Sequence, residues 1–99
     1  MTDTSRLQSL LGHRLAIVQE IARLNARQLQ NRQVFSGLEL EVMLCERGLA
    51  QPDDPAATDR LAAALAQREA AEARLADDES ELVEWHERLD AVDREISGG

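Results

Sequence analysis

The stretch RGLAQPDDPAAT, Arg47–Thr58, is the clearest break in a chain whose other residues favour helix. Gly48 suits the position just past a helix C-terminus, where a left-handed backbone carries no Cβ penalty. Pro52 and Pro55 both resist a continuing helix. Asp54 before Pro55 reads as an N-cap followed by proline at the first helical position. The expected layout is therefore helix 1 over about 4–48, a turn at about 49–54, helix 2 over about 55–96 and a frayed tail at 97–99. At 1.5 Å per residue each helix would run ~60–70 Å. Two such helices joined by a short turn form an antiparallel hairpin, read here as a single domain.

Composition supports this all-α reading. The chain has 99 residues, 43% of them hydrophobic and 30% charged, with Phe35 and Trp85 as its aromatics. Ala, Leu, Glu, Arg and Gln dominate, and all are strong helix formers. The basic residues are all Arg. A net charge of −8 argues against nucleic acid or an anionic membrane as partner, since both need a concentrated basic face. No stretch approaches the ~20 apolar residues that cross a bilayer. The start, MTDTSRLQSLLGHRL, lacks the basic segment and apolar run of a secretory signal. One cysteine, Cys45, suits a reducing compartment, so a cytoplasmic location is expected.

Helix 2 carries a regular heptad: Leu61, Ala64, Arg68, Ala71, Leu75, Asp78, Leu82, Trp85, Leu89, Val92 and Ile96. Its spacing alternates three and four, as a coiled-coil seam requires. Helix 1 reads in the same frame as Leu7, Leu11, Arg14, Val18, Ile21, Asn25, Gln28, Arg32, Phe35, Glu39 and Val42, a less regular series. Folding about the turn pairs residues whose numbers total about 103, which sets Val18 against Trp85 and Asn25 against Asp78. The polar run NARQLQNRQ, Asn25–Gln33, then forms either a buried polar layer that specifies register or a solvated opening of the hairpin. Asn25 and Asp78 are the residues of that layer. Charge agrees with antiparallel pairing: residues 1–48 hold six Arg and five acids, net +1, and residues 49–99 hold five Arg and fourteen acids, net −9.

A second stripe on helix 1 comprises Leu10, Ile17, Leu24, Leu38 and Cys45, and a third holds Leu15, Ala22, Leu29 and Met43. Helix 2 cannot cover all of them. A helix apolar on several sides belongs inside a bundle. The expected interface residues are Leu10, Ile17, Leu24 and Leu38, supported by Leu29 and Met43. The partner is a second copy, giving a dimeric four-helix bundle, or another helical protein.

Other chemistry has little support in the residues. His13 and His86 lie near acids, but the Glu-x-x-His spacing of carboxylate-bridged metal bundles is absent, Val83 standing three before His86. Cys45 reads as a small apolar residue and Trp85 as core. No nucleophile–base arrangement or phosphate loop is present, so no catalytic, cofactor or metal residues and no small-molecule substrate are assigned. The triplet FSG, Phe35–Gly37, resembles the aromatic-x-Gly triplet of small secreted WXG-type helical hairpins. There the triplet forms the turn; here it precedes the turn and the Trp lies in helix 2, so no function is carried over. The expected function is a non-catalytic interaction module, an adaptor, regulator or assembly factor. Alternatives are a secretion chaperone or secreted hairpin, a purely structural homo-oligomer, and a metal-binding bundle with a site between subunits.

Overall fold

A computed structural model describes residues 2–49 and 54–98. Helix α1 spans Thr2–Leu49 and helix α2 spans Ala57–Gly98, and the two pack against each other as an antiparallel hairpin. No strand occurs among the described residues. Asp3 in the first turn of α1 and Arg47 in its last turn complement the helix dipole.

The helix ends differ slightly from expectation. Gly48 is still helical and Leu49 closes α1, so the glycine is not the left-handed terminator. At the other end, Ser97 and Gly98 continue α2, where a frayed tail was expected. Pro52 and most of the expected turn lie outside the described residues. Helix α2 starts at Ala57, two residues beyond Pro55. The Asp54 side chain accepts the Ala56 N–H at 3.0 Å, and the Asp54 carbonyl accepts the Ala57 N–H at 3.3 Å. This satisfies backbone donors that a helix start leaves open. Asp54 also pairs with Arg60, whose guanidinium, followed by the Ala56 N–H, lowers the carboxyl pKa. The stabilisation from this cap is present while the carboxylate is ionised. It is lost as pH falls through the depressed folded-state value.

The contacts of the hairpin fall into two compact units, residues 2–27 with 78–98 and residues 28–49 with 54–77. In the first unit Ile17, Ile21, Leu24 and Leu82 form the core, with Trp85, Leu89 and Val92 packed on it. The Arg88 guanidinium lies 4.4 Å from the centre of the Trp85 ring. In the second unit Val42, Cys45 and Ala64 are buried with Leu61 against them, and Ala57 and Ala71 are buried too. Ala57, Ala64 and Ala71 recur every seventh residue, so the second core buries less apolar surface per turn than the first.

The α2 heptad occupies the seam as read: each of its positions from Leu61 to Ile96 is buried or half-buried. The α1 frame is different. In the first unit the buried and half-buried heptad positions are Leu10, Arg14, Ile17, Ile21 and Leu24. In the second they are Gln28, Asn31, Phe35, Leu38, Val42 and Cys45. Arg14, Ile21, Gln28, Phe35 and Val42 belong to both frames. The other half of the expected frame, Leu7, Leu11, Val18, Asn25, Arg32 and Glu39, is exposed. With half of the positions shared and the others moved by one residue, the seam centre turns by about 50° around α1. The expected frame would bury Asn25, Arg32 and Glu39, whereas the observed one replaces them with Leu24, Asn31 and Leu38. Avoiding two desolvated charges decides the choice.

Leu24 is fully buried, at 0% exposure, and Leu29 is 59% exposed. Leu24→Ala should therefore lower unfolding free energy by about 2–5 kcal/mol, while Leu29→Ala should leave the stability of the single chain within about 0.5 kcal/mol. Urea unfolding followed by circular dichroism checks both. A Cβ added at Gly37 would meet nothing within 4 Å, so this mid-helix glycine serves no close approach in the chain. Gly37→Ala should raise stability by about 1 kcal/mol through helix propensity alone, measured in the same titration.

Candidate docking surface

The altered frame relocates the residues expected to face a partner. Ile17, at 5% exposure, and Leu24 are buried in the core of their own chain, and Leu10 and Leu38 are half-buried on the same heptad position. They are the missing half of the seam that α2 covers. Ile17 and Leu24 are thus core residues of the single chain, whereas Leu10 and Leu38 are only partly covered. Leu29 and Met43 are exposed, at 59% and 44%.

The polar layer is corrected as well. Asn25 is exposed, and Asp78 is buried at 2% exposure. Arg27 pairs with it across the helices, its Nε donating to Asp78 Oδ1 at 2.8 Å. Arg27 Nη2 lies 2.7 Å from the same oxygen and donates to Glu81 Oε2 at 2.9 Å. The Asp78 hydrogen bond, then that of Glu81, raises the Arg27 pKa. Among the described residues no buried side-chain nitrogen or oxygen lacks a partner. A second cross-helix pair, Arg14 Nε to Asp93 Oδ1 at 2.7 Å, is half-exposed. These pairs total 105 and 107 in residue number, against the expected 103, in keeping with the shifted α1 frame. Arg23 binds Glu20 on its own helix, which lowers the Glu20 pKa.

The outward side of α1 carries what the heptad reading missed. In the first unit, Thr4, Leu7, Gln8, Leu11, Gly12, Leu15, Val18, Gln19, Ala22, Asn25 and Ala26 lie within one arc of about 140°. Each is exposed and none is charged. The charges of this segment, Asp3, Arg6, Arg14, Glu20, Arg23 and Arg27, fall outside the arc. Leu11, Leu15 and Val18 form its apolar centre, Leu15 at 58% exposure. In the second unit Leu29, Gln30, Gln33, Ser36, Gly37, Leu40, Met43 and Leu44 are exposed and uncharged, but the heptad position of Leu11 and Val18 there holds Arg32, Glu39 and Glu46. The α2 residues of the first unit behave oppositely: Glu79, Glu84, Glu87, Asp90, Arg94 and Glu95 are all exposed. The signal was present in the spacing of charges. A hydrophobicity pattern alone spread it over two stripes.

The first unit also has an open groove of about 660 Å³. Trp85, Ile17 and Val92 line it, with Ala16 and Ala91 as small walls and His13, Glu20 and Arg88 at its edge. Among the described residues no group of three or more His, Cys, Asp or Glu side chains is placed to hold a metal ion. Cys45 Sγ is buried, 3.8 Å from Glu41 Oε1. No described helix is long and apolar enough to cross a membrane. Comparison with known proteins finds no match to this chain among family models, curated proteins or solved structures.

Asp78 is buried and Arg27 half-exposed, so removing Arg27 weakens the compensation of a buried carboxylate, whereas replacing both with apolar groups avoids that cost. Arg27→Leu should therefore lower the thermal midpoint, and adding Asp78→Leu should recover most or all of the loss. Differential scanning calorimetry of the two single variants and the double variant measures this coupling.

Proposed function

We propose that the chain is a non-catalytic protein-interaction module whose outward α1 face receives a partner helix. The observation that carries this reading is the charge-free arc around Leu11, Leu15 and Val18, exposed in a chain that is 30% charged. Water-facing helix positions usually carry charge, and the centres of protein interfaces are depleted of it. Three large apolar side chains at spacings of four and three are the anchors a docking helix reads. The α1–α2 seam beneath presents them without needing to open, because its core is made from other residues, Ile17, Ile21 and Leu24. The module would act as an adaptor, regulator or assembly factor, its acidic α2 side remaining in solvent. A reducing compartment such as the cytoplasm suits its single free thiol, Cys45.

The test uses the tagged full chain as bait in lysate of its source cells, beside a Leu15→Glu, Val18→Glu variant of unchanged helicity. The expected result is a near-stoichiometric chain, foreign or a second copy, retained by the wild type and lost from the variant. Identical retention by both proteins would overturn the reading.

A further inference from the structure

Resting on the docking reading above, we infer that the occupant of the α1 face in residues 2–27 is the same face of a second copy of this chain. Charge is the first argument. Helix α1 has six Arg and five acids, net +1, while α2 has five Arg and twelve acids, net −7. Two chains of net −8 repel through α2. Contact through α1 joins the nearly neutral helices and leaves the acids of α2 outward. A face without charges meets its own copy with no like-charge cost.

The rim supplies the second argument. Arg14 and Arg23 flank the arc, and each is already paired within the chain, with Asp93 and Glu20. The rim therefore offers no uncommitted pair from these two arginines to select an acidic foreign helix. Shape is the third. Leu11, Leu15 and Val18 project beside Gly12 and Ala22, and at Gly12 a Cβ would meet nothing within 4 Å. One surface thus carries both projections and hollows, as a two-fold interface formed from a single patch requires.

Light scattering on the full chain across a concentration series is the test, at low and high salt. The expected result is a mass rising to twice that of the chain, with association tighter at high salt because screening removes the α2 repulsion. Leu15→Glu should leave a helical monomer. Val83→Glu, on the exposed side of α2, should associate like the wild type. A monomeric wild type, a dimer unaffected by Leu15→Glu, a dimer broken by Val83→Glu, or association weakened by salt would each overturn the inference. A monomeric wild type that still loses a foreign chain on Leu15→Glu, Val18→Glu substitution would overturn only the identity of the occupant. Monomer with no chain lost would overturn the docking reading as well.

Discussion

The rotation of α1 about its own axis governs what the rest of the chain presents. Ile17, Ile21 and Leu24 fix it in the first unit by packing with Leu82 beneath Trp85, Leu89 and Val92. Val42 and Cys45 fix it in the second by packing with Ala64. Once these side chains face α2, every other heptad position is assigned. Arg14 comes within reach of Asp93, Arg27 comes within reach of Asp78 and Glu81, and Leu11, Leu15 and Val18 turn toward solvent. The hydrophobic effect sets this rotation because large side chains gain most from burial, while charged groups lose most.

Arg27 and Asp78 make that choice costly to change. A buried carboxylate tolerates its site only when its partners are in place. Sliding α2 by a turn would carry Asp78 away from Arg27 and bring a leucine of the same seam, Leu75 or Leu82, into its place. The polar stretch at the middle of α1 therefore has a narrower role than a two-sided polar layer. Gln28 and Asn31 are half-buried in the seam, Arg27 flanks it and ties down Asp78, and Asn25 simply faces water. The weak apolar content of Asn25–Gln33 reflects three different environments along one turn-by-turn repeat.

The outward arc of α1 follows from the same rotation. Its residues contribute little to holding α1 against α2, so chain stability alone does not require Leu11, Leu15 and Val18 to be apolar. A charged residue at each position would cost the hairpin little, since surface changes away from special features are usually near neutral. Their apolar character is thus independent of the fold. The exposed side of α2 in the first unit is by contrast acidic.

The helical class, the antiparallel hairpin and the α2 seam were all legible in the residues. Proline at two places near the middle of the chain breaks the helix, and a three–four repeat of apolar positions marks one face regardless of what lies opposite. The α1 seam was half legible. Arg14, Ile21, Gln28, Phe35 and Val42 fit either of two frames, and the apolar residues on both sides of them, Leu11 and Val18 or Leu10 and Ile17, are alike in hydrophobicity. Only packing against α2 separated these frames, because only there do Asn25, Arg32 and Glu39 compete with Leu24, Asn31 and Leu38 for dry positions. Tertiary structure likewise decided that Asp78 pairs with Arg27, a contact between residues 51 apart in sequence that no local pattern encodes. Local periodicity determines which faces exist; burial against a second helix determines which of them remains available to a partner.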